Sequence, residues 1–89
     1  MRELRDVRAD IDRTDRDLVE LLARRAALVR EAFAIKADAG SALRDAAREE
    51  EILRAVMAHG GARGLPEPAL REVFTAIVRF ARVVSGDAP

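Results

Sequence analysis

From Leu4 to Asp38 the chain carries no proline and no glycine, and apolar residues return every three or four positions. That is the period of one face of an α-helix. Alternating steps of four and three from Leu4 pass through Leu4, Arg8, Ile11, Asp15, Leu18, Leu22, Arg25, Val29, Ala32 and Lys36, with Leu21 and Leu28 widening the stripe. The opposite face reads Glu3, Asp6, Asp10, Arg13, Asp17, Glu20, Arg24 and Glu31. Pairs such as Glu20 with Arg24 have the i,i+4 spacing that supports a helix. The pattern predicts one long amphipathic helix, stopped near Gly40 by a C-terminal glycine signal.

A second helix is predicted from around Ala42–Asp45 to about His59, with Asp45, Arg48, Glu49, Ile52, Leu53, Val56 and Met57 on one face. Gly60, Gly61 and Gly64 predict the loop after it. Pro66 and Pro68 mark the start of a third helix, because a proline in the first turn forfeits no helical hydrogen bond. Leu70, Val73, Phe74, Ile77, Ala81 and Val84 form its apolar face, and Ser85, Gly86, Asp87 and Pro89 are expected to close it. The expected fold is all-α, a single domain over residues 1–89 with one long and two shorter helices and no internal repeat.

Length adds a constraint. A helix over Leu4–Asp38 spans roughly 52 Å at 1.5 Å per residue, whereas a compact globule of this size has a radius of gyration of about 12 Å. The first helix overshoots a monomeric globule, so its ends call for a second chain. The expectation is an intertwined homodimeric helical bundle.

Composition narrows the function. The 89 residues are 49% hydrophobic, and the only aromatics are Phe33, Phe74 and Phe80. The core must be aliphatic, which suits packed helices better than sheets. Sixteen basic and sixteen acidic residues give zero formal net charge, without the basic excess of a nucleic-acid binder. Cysteine is absent and His59 is the one histidine, so neither disulfides nor a Cys/His metal site is expected. No apolar run reaches membrane-spanning length, and Met1–Asp6 has no signal-peptide character. A soluble, cytoplasmic protein is the expectation.

Charged residues lying in line with the apolar stripes carry the chemistry: Arg8, Asp15, Arg25 and Lys36 on the first helix, and Asp45, Arg48 and Glu49 on the second. Any one of them alone is explained by a packed stem and a wet head. Together they are harder to dismiss, since an unpaired buried charge is costly. Arg25 and Lys36 share a face about 16 Å apart, and Arg8 lies about 26 Å from Arg25, too far to join them within one chain. Two copies of the helix paired antiparallel about Leu21 set residue 8 of one opposite residue 34 of the other. Three cations from two chains then meet, twice over. Such a pocket suits a small polyanion, with arginine forks for carboxylates. Asp45 and Glu49, one turn apart, could accept from a hydroxyl on the same ligand, and Arg48 could bind a carboxylate or hold Glu49. His59, beside Gly60, reads as a helix-end residue.

These residues also resemble the all-helical chorismate mutases. The match runs through Leu4-Arg5-Asp6-Val7-Arg8, Ile11-Asp12, Asp15, Leu18-Val19, Leu21-Leu22-Ala23-Arg24-Arg25, Lys36, Arg44-Asp45 and Arg48-Glu49, and more weakly through the third helix. The resemblance implies the isomerisation of chorismate to prephenate, in aromatic amino-acid biosynthesis, at sites shared across a homodimer. It implies that Arg25 and Arg8 of the partner subunit bind the two carboxylates, and that Lys36 reaches a carboxylate and the ether oxygen. Asp45 and Glu49 would surround the ring hydroxyl with Arg48 beside them, and Asp15 would pair structurally with a basic neighbour. On the third helix, Ala81 stands where the family commonly has a small hydroxyl residue, and Ser85 stands where it has a glutamine donating to the ether oxygen. Ala81 and Ser85 complete the implied substrate-binding set.

The reaction is pericyclic and implies no metal, cofactor, nucleophile or proton shuttle. It needs a compact conformer and donors aimed at the ether oxygen as the C–O bond breaks. Two alternatives stand beside it. Relatives on this fold convert isochorismate to salicylate and pyruvate, or rearrange 4-amino-4-deoxychorismate. A non-catalytic helical dimer would use the polar stripe residues only to set register.

Overall fold

The computed structural model describes residues 1–38 and 46–85. It contains α1 (Leu4–Asp38), α2 (Ala46–Ala62) and α3 (Glu67–Val84), with no strand among the described residues. The first helix starts at Leu4 as predicted and runs unbroken through Asp38. Its N-terminus is closed by Asp6, whose carboxylate accepts the Glu3 backbone N–H at 3.4 Å, half of the reciprocal arrangement that caps helices. Asp10 follows, paired with Arg2 and, at 2.9 Å, with Arg13. Asp15 is exposed and makes no ion pair among the described residues, so the pairing expected for it is not formed within the chain.

The second helix differs from expectation at its C-terminal end. It passes through Gly60 and Gly61 and stops at Ala62; its expected start around Ala42–Asp45, like the Gly40 stop, lies outside the described residues. Each interior glycine costs roughly 1 kcal/mol against alanine, so something must compensate. Gly60 is buried where α3 crosses, and a Cβ there would lie 2.1 Å from Leu70 Cδ2. Its missing side chain leaves the space that the tip of Leu70 fills. The actual stop is Gly64, at φ +78°. Gly64 N–H donates to the Gly61 carbonyl at 3.1 Å and Leu65 N–H to the Gly60 carbonyl at 3.0 Å, the paired bonds of a Schellman cap. Pro66 then serves as N-cap of α3 in extended conformation, with Pro68 inside the first turn.

α3 is the element that joins the others: it packs along α2 and against α1, whereas the α1 and α2 backbones do not approach within 8 Å among the described residues. Ala26 of α1 and Val78 of α3 are the buried apolar residues. The Arg30 Nε donates to the Val84 carbonyl at 3.0 Å, tying α1 to the end of α3 where the helix dipole favours a cation. Of the predicted α3 face, Leu70, Phe74, Ile77, Ala81 and Val84 are partly covered, but Val73 is exposed and Val78, outside that face, is buried, so the face is shifted toward Val78.

The molecule measures 58 × 23 × 20 Å with a radius of gyration of 16.2 Å, well above the 12 Å or so of a compact chain this long. The cause is α1. Leu22, Arg25, Val29 and Lys36, in its C-terminal half, are partly covered. Leu4, Ile11, Leu18 and Leu21, on the same stripe toward the N-terminus, are each more than half exposed. No helix among the described residues is long and apolar enough to cross a membrane.

Candidate active site

Because α1 and α2 stand apart and α3 closes only one side, a cleft of about 480 Å³ opens between them. Val29, Phe33, Ile52 and Val78 supply apolar wall, and Ala81 leaves room beside Val78. Into this wall project Arg25 and Lys36 from α1, Arg48 and Glu49 from α2, and Arg82 from α3. The three-turn spacing of Arg25 and Lys36 puts both on one face. Lys36 Nζ also sits 5.9 Å from the Phe33 ring centroid, within cation–π range.

Four of the side chains lining the cleft, Arg25, Lys36, Arg48 and Arg82, are cationic. Burial, and then the nearby Arg48 guanidinium, lower the Arg25 pKa below the ordinary arginine value. Arginine nevertheless stays cationic at neutral pH, so two like charges are held together in a half-enclosed space. An anion placed between them relieves that repulsion. Arg48 also donates to Glu51 on the outer side of α2. Among the described residues lining the cleft, Glu49 is the carboxylate. Arg82 grips it with both arms of its fork, Nε to Oε2 at 3.0 Å and Nη2 to Oε1 at 2.6 Å.

Arg25, Lys36, Arg48, Glu49 and Ala81, which the sequence assigns to one site, therefore line one cleft. Arg8 does not join them within the chain; it is exposed on the N-terminal part of α1. Asp45 lies outside the described residues. Ser85 is the C-cap of α3, and its hydroxyl donates to the Arg82 carbonyl at 3.0 Å instead of lining the cleft. His59 is in the last turn of α2, next to a small apolar hollow formed with Leu65, Leu70 and Phe74.

Arg82 was not among the residues singled out from the sequence. Its signal is the i,i+4 row Phe74, Val78, Arg82, which places a cation in line with the true buried face of α3. Centring that face on Ile77 turns Arg82 toward solvent. No cluster of His, Cys, Asp and Glu suited to a metal ion occurs among the described residues. A family model described as chorismate mutase type II matches residues 7–84. Comparison with curated proteins and with solved structures gives no match.

Proposed function

The chain belongs to the chorismate mutase type II family, and from that premise we propose that its cleft binds chorismate and rearranges it to prephenate. The observation that carries this is the convergence of Arg25, Lys36 and Arg48 on one cleft, where burial and then the neighbouring Arg48 lower the Arg25 pKa. A volume near 480 Å³ falls in the range of about 300–1,000 Å³ typical of small-molecule sites. Arg25 receives one carboxylate of the substrate as a bidentate fork. Lys36 reaches a carboxylate and the ether oxygen, and Glu49 accepts from the ring hydroxyl, with Arg48 alongside. The apolar wall holds the compact conformer that brings the reacting carbons together. As the C–O bond breaks, negative charge grows on the ether oxygen, and a fixed ammonium there stabilises the transition state more than the ground state. Nothing in this scheme requires a nucleophile, a proton transfer or a cofactor.

The working unit in this proposal is a homodimer with shared sites. The support is the uncovered row Leu4, Ile11, Leu18 and Leu21 on a helix roughly 52 Å long. A second α1 laid antiparallel about Leu21 covers that row. The same pairing sets Arg8 of the partner subunit opposite position 34, between Arg25 and Lys36, to take the second carboxylate. The direct experiment is incubation of the purified protein with chorismate and identification of the product. Prephenate supports the proposal. Release of pyruvate, or turnover only of isochorismate or of the 4-amino analogue, would move the assignment to another reaction on this fold.

A further inference from the structure

The side of α3 turned away from the cleft is apolar and uncovered. Ala69, Val73, Ala76, Phe80 and Val83 recur there at steps of four and three. All five are exposed, and Val73, Phe80 and Val83 are so by 54%, 46% and 61%. The spacing is that of a coiled-coil seam, about 21 Å long. The stripe is centred half a turn from Val78, which lines the cleft. A partner α1 that brings Arg8 into the cleft lies on the Val78 side of α3, so it leaves this stripe bare. A contiguous apolar row of this kind marks a contact surface.

The charges beside the stripe decide what fits it. Glu72 and Arg79 are seven residues apart and share one flank. Both are exposed, and neither forms an ion pair among the described residues. The other flank is apolar, with Ile77 and Val84. When two identical helices pack antiparallel about a two-fold axis, each flank meets its own copy. With the axis beside Ala76, Val73 of each copy meets Phe80 of the other, Ala69 meets Val83, and Glu72 meets Arg79, twice over. Alanine at the centre lets the two backbones approach closely. A parallel pair would set the same two charges against Ile77 and Val84.

We propose that this face of α3 is a self-association surface whose occupant is the same face of a second copy, packed antiparallel about Ala76. It is separate from the α1 seam and independent of the reaction assigned to the cleft. The contact is isologous. A five-residue stripe is small beside the roughly 1,200 Å² at which stable interfaces begin, so the contact forms at high protein concentration.

The test is sedimentation equilibrium of the whole chain across the micromolar range, with circular dichroism to show that each variant is folded. The average mass of wild type should climb above that of the species present at low concentration, and Phe80→Glu should abolish the climb. Glu72→Arg and Arg79→Glu should each raise the dissociation constant of this step by about tenfold, because both symmetric ion pairs become like-charge pairs. The double exchange Glu72→Arg/Arg79→Glu restores both pairs and should return the constant to within about twofold of wild type. Leu18→Glu, on the α1 row, should leave the step in place whatever starting mass it gives, which separates this surface from the α1 seam. A wild-type mass that stays constant would overturn the proposal and leave the face to a different protein. A climb that persists in Phe80→Glu would overturn it as well. Should Phe80→Glu not fold, the charge exchange decides: a double variant no better than the single ones contradicts the antiparallel pairing.

Discussion

Arg25 of α1 and Arg48 of α2 line the same cleft, and the charge of Arg48 adds to burial in lowering the Arg25 pKa. Burial and a neighbouring cation both disfavour the charged form of Arg25 in the empty cleft, and a bound anion would offset them. Arg25→Met should therefore leave the melting temperature unchanged or slightly higher, while kcat/KM for chorismate falls by about a hundredfold or more, as two charge-assisted bonds at about 1.5–3 kcal/mol each are lost. Thermal melts and steady-state assays on the same preparation check both halves. A large loss of melting temperature would mean that Arg25 is a structural residue.

Lys36 is placed to act on the breaking bond, so its contribution should appear in turnover more than in binding. Lys36→Met should lower kcat and kcat/KM together, by about a hundredfold to a thousandfold, the usual worth of a preorganised donor to developing oxyanion charge. If KM alone rises, Lys36 is a carboxylate anchor and another group serves the ether oxygen.

The glycines at the α2–α3 corner should separate cleanly. A Cβ at Gly61 meets nothing within 4 Å, so Gly61→Ala should stabilise by about 0.5–1 kcal/mol through helix propensity. Gly60→Ala makes the flexible tip of Leu70, with Cδ2 at 2.1 Å, turn aside and should leave stability about unchanged, since that rearrangement offsets the gain in propensity. At Gly64, φ is +78°, and alanine there should cost about 1–2 kcal/mol in backbone strain. Denaturant melts of the three variants give the order directly. A stabilising Gly60→Ala would show that Leu70 moves freely.

Ser85 caps α3 one turn beyond Ala81, which does line the cleft. A glutamine extends about 2.5 Å further than serine at ordinary bond lengths. Ser85→Gln should present an amide N–H toward the ether oxygen and raise kcat by about tenfold, part of such a donor's worth. An unchanged or lower kcat, together with a silent Ser85→Ala, would mean that this position faces away from the reacting atoms.

Much of this was legible in the residues themselves, and the exceptions have physical causes. The start of α1 and its course through Asp38 could be read because an uninterrupted 3.6-residue period without glycine or proline admits little else. The end of α2 could not, because Gly60 and Gly61 look like a loop until Leu70 of α3 is seen to press on Gly60. α3 was recognised with most of its face, Leu70, Phe74, Ile77, Ala81 and Val84, but the face was turned at its edge: Val73 and Val78 are equally apolar, and only packing against α1 and α2 decides that Val78 is buried. That turn hid Arg82. By contrast, Arg25, Lys36, Arg48 and Glu49 were visible as charges placed where apolar residues belong, since a charge on a packing face needs a reason.

The central claim is a chorismate-rearranging site built from Arg25 of one chain and Arg8 of another. The most direct measurement mixes Arg8→Ala and Arg25→Ala proteins, each nearly inactive alone, under conditions where subunit exchange is demonstrated. A mixed dimer gathers both lesions in one site and leaves the other intact, so random exchange should restore about a quarter of wild-type turnover of chorismate to prephenate. Exchange without recovery of activity would contradict the shared site.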